Sequence, residues 1–191
     1  MRTIAEFEAA ARERLEPAHY DFFAGAAGDE LTLRANEAAF SRRSLVPRVL
    51  RGNGKRDLAV EIAGSPLSMP VLVSPTAFHR LAHPDGERAT AEAVAAAGTV
   101  MVVSMAATTA IEDVAADPAL WFQLYLQPDL EFTESVVRRA ERAGVRALVV
   151  TVDSPVFGRR ERDQRNGFHD LPPELAVENM RDASGRVRDI E

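Results

Sequence analysis

Apolar residues along the chain gather in runs that begin near Val71, Val100, Trp121 and Ala147. The last of these, Ala147-Leu-Val-Val-Thr151, is unbroken by any charge. An inner strand of a parallel sheet is covered on both faces and carries such continuous Val and Leu, so this run predicts a strand buried on both sides. Between the runs the apolar spacing changes to that of an amphipathic helix. Pro84, Asp85 and Glu87 open one helix. Thr109 and Glu112 have the spacing of a capping box for a short second one. Phe132, Val136, Val137 and Ala140 form the buried face of a third. Gly98 and Gly144 stand where the first and third must stop and turn into strand. Strands joined by helical crossovers are parallel strands. The prediction is an α/β fold with about four βα units over residues 71–191.

Residues 1–70 read differently, as an amino-terminal extension of helices and short strands. Thr3 and Glu6 form a capping-box pattern, and Ile4, Phe7, Ala11 and Leu15 supply an apolar stripe behind it. Pro17 restarts the chain into Tyr20, Phe22 and Phe23, the Gly25–Gly28 stretch marks a break, and Leu31 to Phe40 is a further helix. Residues 45–70, with Gly, Pro and isolated Val and Ile, predict short strands and turns. Beyond Gly158 the chain turns polar. Leu171-Pro172-Pro173 leads into one short helix over Glu174 to Met180, and 182–191 has the composition of a loop or tail.

Composition narrows the classes. With 191 residues, 46% hydrophobic and 27% charged, the chain is an ordinary globular one. Its net charge of −6 argues against a general nucleic-acid binder, which needs clustered excess Lys and Arg. It has no cysteine, which excludes disulfides, thiolate catalysis and zinc–sulfur sites. No apolar stretch approaches the ~20 residues of a membrane span, and the first residues lack the apolar core of a secretory signal. A cytoplasmic protein is expected. His19, His79 and His169 have no metal-ligand spacing, so no metal site is expected.

Chemistry concentrates where the apolar runs end. The first is followed by Ser74-Pro75-Thr76-Ala77, the second by Ser104, and the third closes on Gln123 and Tyr125. The fourth closes on Thr151 and Asp153. In α/β proteins ligands bind at the carboxyl ends of the strands. Neutral Ser, Gln and Thr groups converging there suit a planar heterocycle with amide-like edges. Arginines and a tyrosine suit a carboxylate. Taken singly, each has a plainer alternative. Ser104 and Thr151 can end strands by bonding backbone, Tyr125 can be a core aromatic, and Arg159 and Arg160 can pair with Glu161 and Asp163 on a solvated loop.

Several spaced motifs together go further. Pro-Thr-Ala at 75–77, His-Pro-Asp-Gly-Glu at 83–87, Phe-Gln-Leu-Tyr at 122–125, Arg-Arg-Ala-Glu-Arg-Ala-Gly at 138–144 and Thr-Val-Asp…Gly-Arg-Arg…Arg-Asn-Gly at 151–167 resemble the FMN-dependent 2-hydroxy-acid oxidases and dehydrogenases. The resemblance covers nearly the whole chain in order. It implies a TIM (β/α)8 barrel, FMN as cofactor, and oxidation of a small 2-hydroxy acid to the 2-keto acid. It implies that Pro75, Thr76 and Ala77 line the flavin and that Ser104, Gln123 and Thr151 bond its pyrimidine edge. Tyr125 would contact cofactor and substrate, and Arg160 the substrate carboxylate. Phe22 occupies a substrate-facing position at which the family commonly has tyrosine, and a phenyl ring donates no hydrogen bond. Ala106 stands where glycolate-oxidase-like members often carry a bulky aromatic. The missing hydroxyl means either weaker carboxylate binding or an aromatic substrate, and together with Ala106 it favours an aryl, mandelate-like acid. A barrel needs eight strands and usually ~250 residues. The family's histidine base, flavin lysine, second substrate arginine and phosphate-binding segment belong to later strands, so no catalytic residue is expected in this half. The chain is therefore expected to be the amino-terminal part of a longer or split enzyme, inactive alone, with a complementary carboxyl-terminal half as partner and a homo-oligomer as the assembly. The competing reading is a non-catalytic half-barrel that binds flavin, phosphate or a partner chain.

Overall fold

The computed structural model describes residues 1–190 except Asn53, 115–119 and Pro155. The chain divides into two compact units. The first comprises residues 1–57 and 156–170, the second residues 58–155 and 171–191.

The first unit is helical: α1 (Ile4–Arg14), α2 (Pro17–Ala24), α3 (Leu31–Ser41) and α6 (Glu161–Asn166). Thr3 caps α1 as its sequence predicts, its hydroxyl accepting the Glu6 N–H at 3.3 Å. The reciprocal bond of a capping box is displaced by one residue, because the Glu6 carboxylate accepts from Arg2 N–H at 2.7 Å. The expected buried stripe on α1 is not buried: Ile4 and Phe7 are exposed. Helix α6 was not legible as a helix, since its sequence, Glu-Arg-Asp-Gln-Arg-Asn, has no apolar face. Charges hold it instead. Arg162 reaches Asp21 at 3.3 Å and Glu30 at 2.7 Å, and Asn166 donates to Asp21 at 2.7 Å.

The second unit opens with an antiparallel hairpin, β1 (Val60–Ile62) with β2 (Ser65–Leu67). The division of the chain places this hairpin with the sheet unit rather than with the amino-terminal helices. A side-chain bond ties it there, from the Trp121 indole N–H to the buried Ser65 hydroxyl at 3.2 Å. A parallel sheet follows in the order β3 (Met101–Val103), β4 (Leu120–Leu124) and β5 (Ala147–Val150). The expected strand at Val71 is reduced to a single parallel bridge, Val73 to Met101. Pro70 and Pro75 lack the N–H that a longer ladder needs.

Helices α4 (Gly86–Ala96) and α5 (Leu130–Arg142) lie between the strands in sequence. Both end as predicted, on Gly98 and Gly144 in the left-handed region at φ 67° and 82°. Thr99 N–H returns to Val94 O and Val145 N–H to Ala140 O, which satisfies carbonyls the helices leave open. Phe132, Val136 and Ala140 of α5 are buried as their spacing predicts, against Met101, Val103, Phe122 and Leu124. Two predicted helices shrink to single 3-10 turns, Ile111–Asp113 and Glu178–Met180. The tail is not loose. Arg181 bridges Val187, and Val187 and Ile190 pack on the core.

Burial of β5 differs from expectation. Its residues alternate, with Leu148 41% and Val150 43% exposed. A strand covered on both faces would hide all four, so one face of β5 is open in this chain. Phe122 is fully buried at the centre of the sheet unit. Phe122→Ala is expected to destabilise that unit by about 3–5 kcal/mol, and Leu148→Ala by less than about 1 kcal/mol, in urea unfolding followed by circular dichroism.

Candidate functional site

Parallel pairing of β3, β4 and β5 brings their carboxyl ends to one edge of the sheet, and one hydrogen-bonded chain links them. Gln123 is 2% exposed and forms its centre. Its Oε1 accepts from Met105 N–H at 3.1 Å and from the Ser104 hydroxyl at 3.2 Å. A backbone N–H can only donate, so Met105 fixes which end of the amide is oxygen. The Nε2 end then faces Thr151 Oγ1 at 3.0 Å. Ser104 Oγ also accepts the Ala106 N–H at 3.1 Å. Ser104, Gln123 and Thr151, singled out from three separate strand ends, therefore meet in one neutral network. An amide NH2 has two hydrogens and Thr151 takes one, so a donor remains for a ligand among the described residues.

The Pro75–Ala77 segment lies beside this network through the backbone, since Phe78 N–H donates to Ala106 O at 3.2 Å. Pro75 and Thr76 are exposed and Ala77 is partly buried. Thr76 Oγ1 makes only a long bond to its own loop, 3.4 Å to Ser74 O. Tyr125 is partly buried and packs on the core; its N–H lies 3.3 Å from Met105 Sδ, and its carbonyl accepts from Gln127 Nε2 at 3.3 Å.

Phe22 and Arg160 belong to the first unit. Arg160 donates through Nη2 to the Phe22 carbonyl and through Nε to Asp163 Oδ2 at 2.5 Å. Its guanidinium carbon stands 5.1 Å from the centre of the Phe22 ring, within cation–π range. Phe22 also meets Phe23 edge-on at 5.3 Å and Phe168 at 5.4 Å. The glycine before the arginine pair has a steric reason. A Cβ on Gly158 would come within 2.7 Å of the Ala27 side chain, and Arg159 O accepts the Gly28 N–H at 2.8 Å beside it. Arg159 turns away to Glu161 at 3.0 Å.

Two buried groups went unrecognised in the sequence. Glu87, read there as a helix-opening acid, is fully buried. Its carboxylate accepts from Thr108 N–H at 2.8 Å, Thr109 Oγ1 at 2.7 Å, Thr108 Oγ1 at 3.0 Å and His79 N–H at 3.2 Å. Burial pushes its pKa up, but these hydrogen bonds outweigh it and hold the group below its ordinary value. Asn179 is the second, its Oδ1 accepting Ile111 N–H at 2.8 Å and its Nδ2 donating to Ser104 O at 3.2 Å. Both partners lie far off in sequence, so no local spacing signals them. His79 sits next to Glu87's loop, with Nδ1 3.1 Å from Thr90 Oγ1. Burial lowers its pKa against the raising influence of Glu87. No group of three or more metal-ligating side chains occurs among the described residues, and no described helix is long and apolar enough to cross a membrane.

Residues 11–190 match the family described as FMN-dependent dehydrogenase. The chain belongs to that family. It is 47% identical over 179 residues to glycolate oxidase 1 of Zea mays, covering 93% of this chain and 48% of the maize protein. It is 45% identical over 188 residues to L-lactate oxidase of Nostoc sp., covering 95% of this chain and 51% of that protein. Among solved structures, mandelate oxidase with 3,3-difluoro-2-hydroxy-3-phenylpropionic acid superposes with a TM-score of 0.88 at 40% identity, covering 92% of this chain and 53% of that one. The family's cofactor is FMN and its architecture is the TIM barrel. This chain spans about half the length of the curated relatives it matches.

The two depressed pKa values act on stability in the same direction. Where the folded pKa lies below the unfolded one, the unfolded chain takes up protons first, so stability rises with pH across that interval. Stability of the second unit is expected to fall on acidification in two steps, from about pH 6.5 downward for His79 and from about pH 4.5 downward for Glu87. Urea titrations at stepped pH check this: His79→Gln removes the upper step and Glu87→Gln makes the lower one smaller, the lowered carboxyls of Glu112, Asp129, Glu178 and Asp182 supplying the rest.

Proposed function

We propose that this chain supplies the amino-terminal half of an FMN-dependent 2-hydroxy-acid oxidase or dehydrogenase, built as about four βα units. A carboxyl-terminal half-barrel, in the same polypeptide or a companion one, completes it and brings the histidine base. The observation that carries the reading is the Ser104–Gln123–Thr151 chain. Three neutral side chains from three strand ends are locked into one orientation with amide and hydroxyl hydrogens to spare. That donor set fits the pyrimidine edge of a flavin, which offers carbonyl and ring-nitrogen acceptors.

Within this reading Gln123 and Thr151 hold the flavin edge and Ser104 orients Gln123. Pro75, Thr76 and Ala77 form the wall beside it, where the exposed backbone of a small-residue loop permits close approach of a flat ring. FMN, when bound, takes up the electrons released from the substrate's α-carbon. The guanidinium of Arg160 binds the substrate carboxylate and the Tyr125 phenol its polar end. Phe22 holds Arg160 by its carbonyl and ring, and contributes no hydroxyl of its own. An apolar ring in place of a donor, with the small Ala106, favours an aryl 2-hydroxy acid. The solved mandelate oxidase relatives bound to phenyl-bearing ligands support that preference. The open face of β5, with Leu148 and Val150 exposed, supports a complementary half or further copies of the chain as partners.

The chain titrated with FMN is expected to quench flavin fluorescence, and Gln123→Leu to weaken binding about tenfold or more, since it strands two donors. Mixed with the carboxyl-terminal half of a mandelate oxidase, the loaded chain is expected to bleach with mandelate under anaerobic conditions; alone it is not. A chain that leaves FMN fluorescence unchanged both alone and in the mixture overturns the reading. Binding without bleaching in the mixture favours a non-catalytic flavin-binding half-barrel. In the complemented protein Phe22→Tyr is expected to lower KM about tenfold for lactate and mandelate alike, by restoring a donor to the carboxylate they share.

A further inference from the structure

We propose that Glu87 is a positioning residue that sets the spacing between the two loops forming the flavin wall, 74–79 and 104–109. The proposal rests on the flavin reading of those loops. Glu87 lies in the first turn of α4, where an acid facing solvent is enough to complement the helix dipole. Here the side chain is instead fully buried. Its bonding partners come from both loops at once: His79 N–H from the first, and Thr108 N–H, Thr108 Oγ1 and Thr109 Oγ1 from the second.

None of those donors is a cation. A buried carboxylate matched by neutral donors in fixed positions acts as a rigid joint, because moving either loop leaves a charge under-bonded in a water-poor site. The joint also stands where the backbone is strained. Phe78, next to His79, has φ 62° in the left-handed region that non-glycine residues avoid. Two further bonds repeat the cross-link, one between backbones, Phe78 N–H to Ala106 O at 3.2 Å, and one to a side chain, Arg80 N–H to Thr108 Oγ1 at 3.1 Å. On its other flank the second loop is fixed by Asn179, through Ile111 N–H and Ser104 O. The wall segment Pro75–Ala77 and the network residue Ser104 thus owe their separation to a side chain that touches neither.

Hydrogen exchange on the full chain reads the joint directly, and FMN titration reads its consequence. Glu87→Ala is expected to speed exchange at the His79 and Thr108 amides and to weaken FMN binding about tenfold or more, because buried N–H groups lose their acceptor. It is also expected to shift the visible absorption bands of the bound flavin. Glu87→Gln keeps an acceptor for the N–H groups, while the threonine hydroxyls can turn to accept, so binding is expected to stay within about threefold of the parent chain. Thr109→Val, which keeps the side-chain shape and removes one donor, gives an intermediate effect and serves if Glu87→Ala does not fold. Unchanged exchange at His79 and Thr108 in the variants overturns the joint. Faster exchange with unaltered FMN affinity and bands overturns the positioning role. If the parent chain binds no FMN, the flavin reading fails together with the positioning role, while exchange still decides whether Glu87 joins the loops.

Discussion

The candidate site depends on parallel register. Because β3, β4 and β5 run the same way and pair without a slip, with Val103 beside Phe122 and Phe122 beside Leu148, their last residues arrive at one edge together. A shift of one residue in β4 would turn Gln123 to the opposite face of the sheet and break its bonds to Ser104 and Thr151 at once. Gln123 is in turn the device that registers the edge. Its amide is satisfied only when both neighbours are in place, so the network that presents donors to a ligand also penalises a misaligned sheet.

Much of the frame was written in local patterns. The faces of α5, the glycine stops at Gly98 and Gly144 and the cap at Thr3 depend on residues within a turn of one another, and they fold as their spacing indicates. The strand ends were legible too, because a run of Val and Leu closing on a hydroxyl or amide marks where buried strand meets a polar edge. What stayed hidden depends on contacts made across long stretches of sequence. Glu87 and Asn179 look like ordinary helix and loop polar residues until Thr108 and Ile111 are brought to them. Helix α6 has no apolar face, and its ion pairs to Asp21 and Glu30 are supplied by another part of the chain.

The open face of β5 illustrates a different gap. Its composition is that of a strand covered on both sides, and its structure in this chain is not. Leu148 and Val150 carry the side chains of an interior without the cover. Sequence composition records the environment a strand is selected for, and half-exposed burial records what one chain can supply. The disagreement between them is itself informative, since leaving such residues in water is unfavourable.

The division of labour follows from the same facts. Neutral, buried and mutually satisfied groups collect at the sheet edge, where they are rigid because each is bonded to the next. The charged candidate, Arg160, is placed by a different unit, by the Phe22 carbonyl, the Phe22 ring and Asp163. On the proposed reading, a rigid neutral edge suits a flat group that must be held undisturbed. Arg160 is held by a carboxylate through Nε and by the Phe22 carbonyl through Nη2, and on the proposed reading its remaining guanidinium hydrogens meet the substrate carboxylate. On the reading proposed above, a neutral amide in place of Arg160 would lose the long-range attraction for an anionic substrate.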